Sequence, residues 1–279
     1  MKTLEQYITE KLKLSNVTTG EYSPQDSDEL RLIITDLISK RGNDCDLNDV
    51  DVSAITDMSK LFCNNDIRNF NGDISHWDVS NVTNMEGMFE DSKFNGDISD
   101  WNVSKVTDMS YMFANAKFTG DISKWDVSSV TNMEGMFEDS IFDGDLSKWD
   151  VGNVTNMKHM FSYSRFTGTN GDLVNWDVSS VKVMAHMFKS TKYNGDLSKW
   201  DVSKVENSAF MFTRSEYDGK NGDITKWNVS NIRLCRDMFS NTDFAEDLSS
   251  WNMPNAPKEM KHTIFYGTPN EKKLDKYPK

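Results

Sequence analysis

Two columns of side chains in this sequence are of types that do chemistry. Aspartate recurs at Asp73, Asp97, Asp121, Asp145, Asp172, Asp196, Asp223 and Asp247. A second acid or amide recurs at Asp78, Asn102, Asp126, Asp150, Asp177, Asp201, Asn228 and Asn252. Carboxylates in register can ligate a divalent cation. Between the two columns stand all eight tryptophans, Trp77, Trp101, Trp125, Trp149, Trp176, Trp200, Trp227 and Trp251. A row of exposed indoles can stack sugar rings, whereas a buried row needs an acceptor for every indole N–H.

Each sharp reading meets a plainer competitor. Calcium needs six or more oxygen ligands, and one aspartate per unit is too few. The Gly-Asp nonapeptide that binds calcium in stacked repeats is also absent, so no metal is expected. Aspartate after glycine reads instead as a turn device whose carboxylate takes backbone N–H groups. In "ISDWNV", Trp101 and Val103 lie two apart and share one face of an extended segment. The opposite register would bury aspartate and lysine, so the indoles are expected inside. No serine–histidine–aspartate pattern, phosphate loop or singular acid pair occurs. The histidines His76, His159, His186 and His262 share no motif. Catalysis needs one unique constellation, and here the polar groups repeat, so neither an enzyme nor a cofactor is expected.

The elements that position these columns follow from the period. The tryptophans are spaced 24, 24, 24, 27, 24, 27 and 24 residues apart, and both longer steps carry an insert at one place, in "TGTNGD" and "DGKNGD". The unit reads G-D-[IL]-[ST]-x-W-[DN]-V-S-x-V-T-x-M-x-x-M-F-x-x-[ST]-x-F-x. An incomplete copy, "CDLNDVDVSAITDMSKLF", precedes the first tryptophan, giving roughly nine units with atypical ends. Such a repeat is expected to stack as a solenoid. Its first half predicts a strand. Met109, Met112 and Phe113, at i, i+3 and i+4, predict a short helix or 3-10 turn. Thr83 with Glu86 and Thr131 with Glu134 read as capping boxes. The predicted fold is an α/β solenoid, with a parallel sheet about 40 Å long on one face and short helices on the other. Apolar residues make up only 37% of the chain, and a thin core between coils needs no more.

The unit resembles the BspA-like branch of the leucine-rich repeats, a bacterial surface-protein family, on "DISKWDVSSVTNMEGMF" and its copies and on "DVSAITDMSKLF". That resemblance spans about Asp46 to Gly267. It implies a leucine-rich-repeat fold and adhesion or protein binding at a cell surface.

Residues 1–20 read as a short amphipathic segment and 21–44 as a helical cap. In the cap, Ser23 and Pro24 open a helix, Leu30, Ile33, Ile34, Leu37 and Ile38 line its apolar face, and Gly42 ends it. The solenoid is expected over 45–267 and a polar, flexible tail over 268–279. The three cysteines follow no disulfide or zinc spacing. A formal charge of -13 disfavours nucleic acid and anionic membranes. No apolar run is long enough to span a membrane. The N-terminal residues lack the pattern of an export signal, which points to a cytoplasmic or virion-associated chain, against the cell surface that the resemblance implies.

The leading expectation is a non-catalytic scaffold that recognises a polar protein or glycan on its exposed sheet face or adjoining loops. The residues expected there are His76, Asp78, Asp100, Asn102, Lys124, Asp126, Lys148, Asp150, Asn175, Asp177, Lys199, Asp201, Lys226 and Asn228. The alternatives are a structural or virion-type accessory docked through its first residues, and a sugar-binding aromatic ladder. Nothing in the sequence sets an oligomeric state.

Overall fold

The structure is a computed structural model that describes residues 22–63 and 66–271. The segment expected at 1–20 and the end of the tail, 272–279, lie outside them. The chain winds as a stack of coils on one continuous core. In the coil from Gly96 to Thr119, Ile98, Trp101, Val103, Val106, Met109, Met112, Phe113 and Phe118 are all at most 4% exposed. These are the eight inward positions read from the repeat.

The secondary structure departs from expectation. Among the described residues the regular elements are α1 (Ser27–Arg41) and α2 (Lys258–Lys261), with no strand longer than an isolated bridge. No parallel sheet forms on the tryptophan side, and no helix forms at the methionines. The reason lies in how often the chain turns. The side chain of Asp97 accepts from Ser99 N, that of Asn102 from Ser104 N, and that of Asp108 from Ser110 N. After each of these Asx turns an inward residue accepts from another three positions on: Ile98 from Trp101, Val103 from Val106, Met109 from Met112. A bend every five or six residues leaves no room for a strand. Tyr111 and Asn115 then adopt φ of 55° and 50°, which ends any helical course. Neither expected capping box forms: Thr83 Oγ1 donates to Thr56 O of the preceding coil, and Glu86 N donates to Asn84 Oδ1.

Backbone bonds between coils run mainly on the methionine side, with a further pair at the first coil, where Leu47 N donates to Asp73 O and Asp73 N to Cys45 O. Parallel bridges link Asp57, Asn84, Asp108, Asn132, Asn156, Val183, Asn207 and Leu234 in succession. From this column onward alternate N–H groups point to the next coil: Met109, Tyr111, Phe113 and Asn115 donate to the carbonyls of Asn132, Glu134, Met136 and Glu138. The left-handed residues let successive donors share a direction. Between the coils one phenylalanine column stacks at 5.3–6.0 Å from Phe62 to Phe265. Farther from the bridges, Trp77–Trp101 and Trp227–Trp251 stand 6.5 and 6.1 Å apart.

Both ends are covered according to the polarity of these bonds. The first coil presents carbonyls with no coil before them. Ser27 Oγ of α1 donates to Asp57 O, and Arg31 Nη2 donates to Ser59 O at 2.8 Å. Leu30, Ile33, Ile34, Leu37 and Ile38 bury the expected apolar face of α1. The helix starts later than expected because Asp26, not Ser23, caps it, accepting from Glu29 N. The last coil presents N–H groups, and Phe239 and Asn241 donate to the carbonyls of Ile264 and Tyr266. This C-terminal cover continues into the expected tail: Thr268 is 7% exposed, and buried Asn270 donates to Glu246 O.

Candidate functional site

The tryptophan column is interior. Each indole is 3–6% exposed. Each Nε1–H donates to an Ile or Leu carbonyl of the preceding coil at 2.9–3.2 Å, Trp101 to Ile74 and Trp125 to Ile98 among them. Rings held in this way present no face to a sugar.

The fourteen predicted face residues all lie exposed on the tryptophan side, as two adjacent rows. Backbone without regular inter-coil pairing carries them, in place of the expected sheet. The two rows differ in kind. In the row after tryptophan, Asp78, Asn102, Asp126, Asp150, Asp177, Asp201 and Asn228 each accept from the backbone N–H two residues on, at 3.0–3.2 Å. These acids are turn caps, and their serine hydrogen bonds hold Asp78, Asp126 and Asp177 below the ordinary carboxylate range. The corner aspartates expected as turn devices act likewise: Asp73, Asp97 and Asp121 accept from Ser75, Ser99 and Ser123. The row before tryptophan is looser. Lys199 Nζ reaches Asn175 Oδ1 at 3.1 Å, and Lys226 Nζ lies 3.3 Å from Asp223 Oδ2. His76, Asp100, Lys124 and Lys148 extend into solvent.

A second varied surface lies on the bridge side, where the sequence reading had placed helices. The unlike residues inside M-x-x-M-F-x-x stack there in columns. Gly87, Tyr111, Gly135, His159, His186, Phe210 and Asp237 form one, all at positive φ. His159 and His186 stack with ring centroids 4.5 Å apart, and Phe210 continues the stack at 4.7 Å. Burial, with the neighbouring His159 and Lys189, pushes the His186 pKa down to about 4. Glu134 is gripped by Tyr111 Oη, Asn156 Nδ2 and Lys158 Nζ at 2.7–3.0 Å. The signal for this surface was present in the sequence, since these slots vary from unit to unit while the flanking Met and Phe mostly persist.

Among the described residues no group of three or more His, Cys, Asp or Glu converges as a metal site. An open depression of about 520 Å³ is lined by Glu216, Asp218 and Asp243 with Ser215 and Thr242, whose hydroxyls donate to the carbonyls of Phe212 and Phe239.

No curated protein and no solved structure matches the chain. A family model matches it over residues 36–140, 105–192 and 162–277, three overlapping stretches that follow the coils described above. A chain whose repeats satisfy that model three times over nearly all of the solenoid belongs to the family described as Mycoplasma protein of unknown function, DUF285.

Proposed function

We propose that this chain is a non-catalytic recognition scaffold that binds a polar protein partner along its exposed tryptophan-side surface. One observation carries the reading. The side chains that recur in every unit are consumed by the fold, as core, indole bonds or turn caps, whereas the row His76, Asp100, Lys124, Lys148, Asn175, Lys199 and Lys226 is mixed, with Lys in four coils and His, Asp or Asn in the others. A straight exposed row of changing charge suits an extended partner that meets several coils at once. The adhesion-type role implied by the BspA-like resemblance agrees with this reading.

The test reverses charge without touching a turn cap. A Lys124→Glu, Lys148→Glu, Lys199→Glu variant is compared with wild type for binding to the partner recovered with the wild-type protein. Because rim charges mainly set encounter and specificity, affinity is expected to fall about tenfold or more at unchanged melting temperature. Equal affinity of the two proteins would remove this surface from recognition.

A further inference from the structure

The bridge side carries a charge pattern that the repeat does not require. Consider the band from the bridge residue of each coil to its second left-handed residue. Over three successive coils it holds Glu86, Glu90, Asp91, Asp108, Glu134, Glu138 and Asp139, with no Lys or Arg. Over the next four it holds Lys158, Lys189, Arg214 and Arg236, with Asp237 as the one acid. Asp237 is tied to Arg236 at 3.3 Å. Within these seven coils the sign changes at one seam, where Lys158 pairs with Glu134 at 2.7 Å and His159 Nδ1 stands 3.0 Å from Glu138; the coil before them adds Asp57 and Lys60, the latter paired with Glu86 at 2.9 Å. The potential differs on either side of it. Burial raises the Tyr111 hydroxyl and lowers His186, and the charges add to each, Glu134, Glu138 and Glu90 to the first and Lys189 and Lys158 to the second. Apolar surface accompanies the charge: Tyr163 is 48% and Leu234 41% exposed, and the His159–His186–Phe210 stack lies between them.

A band that is acidic at one end and basic at the other matches itself after a half-turn about its midpoint. That is the requirement of an isologous two-fold interface, in which each end of one copy meets the opposite end of the other. A foreign partner would have to carry the same gradient at the same pitch. We propose that the bridge-side band is a docking surface for a second copy of this chain, arranged antiparallel, with the acidic coils of each copy facing the basic coils of its partner. Seven coils at roughly 5 Å each, about five residues wide, give on the order of 1,200 Å² buried in all, at the low end for a specific pair. The formal charge of -13 on each copy opposes association at long range. A weak, concentration-dependent dimer is the expected form.

The experiment is sedimentation equilibrium on the full chain and two charge-reversed variants. One carries Glu90→Lys, Asp91→Arg, Glu138→Lys and Asp139→Arg, and the other Lys158→Glu, Lys189→Glu, Arg214→Asp and Arg236→Glu. Each replacement is of a type the chain already carries in the matching slot of another coil, and Arg214 occupies the left-handed column of Asp91 and Asp139 at φ 58°. Wild type is expected to dimerise. Each variant alone, with both contacts now like against like, is expected to remain monomeric with an unchanged circular dichroism spectrum. An equimolar mixture of the two restores attraction at both contacts and is expected to form a heterodimer. The mixed pair has the same summed charge as two wild-type copies, so a change in net charge cannot produce that rescue. If a quadruple variant fails to fold, the single exchanges Asp91→Arg and Arg214→Asp replace it, and each is expected to weaken dimerisation without abolishing it. A monomeric wild type, variants that dimerise alone as wild type does, or folded variants that do not pair when mixed would each overturn the proposal.

Discussion

At the scale of the residue, the aspartates that looked most like ligands are fasteners. Asp126 accepts from both the backbone N and the Oγ of Ser128, and Asn102 does the same with Ser104. An amide therefore performs the task as well as a carboxylate. Asp126→Asn is expected to leave stability nearly unchanged, whereas Asp126→Ala loses the cap and about 1 kcal/mol, read from urea unfolding. The ionised caps also set an acid limit. Hydrogen bonds lower Asp73, Asp78, Asp97, Asp121, Asp126, Asp145 and Asp177 from their ordinary value of 3.8. A carboxylate depressed in the folded state stabilises the fold above its unfolded pKa, and the gain is lost as pH falls through the folded value. Melting temperature is expected to hold steady at neutral pH and to drop steeply below about pH 4.

At the scale of the element, the inward pattern was legible and the backbone that produces it was not. The spacing of Met109, Met112 and Phe113 identifies buried positions correctly, but i and i+3 are joined equally well by a helix and by a single β-turn. The turn is what joins Met109 to Met112 and Val103 to Val106. Single-residue positive φ, at Tyr111 or His159, has no sequence mark when the residue is neither Gly nor Asn. The variation of these slots was visible, but without the positive φ they read as the outer face of short helices and not as a continuous surface. By contrast, the apolar face of α1 was read in full, because five aliphatic residues at helical spacing over one long segment admit no other conformation. What α1 does for the first coil depends on a donor that periodicity cannot reveal, Arg31 to Ser59 O. Arg31→Ala is expected to cost about 1–3 kcal/mol by leaving that acceptor unpaired, measured by denaturant unfolding with α1 retained in the circular dichroism spectrum.

At the scale of the whole molecule, the coils are interchangeable units. Each contacts its neighbours through the same columns, so stability is close to a sum of unit and interface contributions. Removing one complete repeat, Gly96 to Thr119, joins Asn95 to Gly120 at equivalent points of the coil. The product is expected to fold cooperatively with a lower melting temperature and a denaturant sensitivity reduced in proportion to length, since that slope follows the surface exposed. A chain that loses all structure on this deletion would show that the stack depends on one particular coil.

Beyond the bridge column, where Thr107 and Asp108 still donate back to Thr83 O, the hydrogen bonds run one way from coil to coil, and this has a further consequence. Uncovered, the leading edge would offer acceptors and the trailing edge donors, and the two would fit each other at the pitch of the stack itself. Molecules stripped of both α1 and the Ile264–Tyr266 segment would join head to tail with no operation to close the series, as any heterologous contact does. The two terminal covers thus decide that this winding chain ends as a particle and does not grow as a fibre.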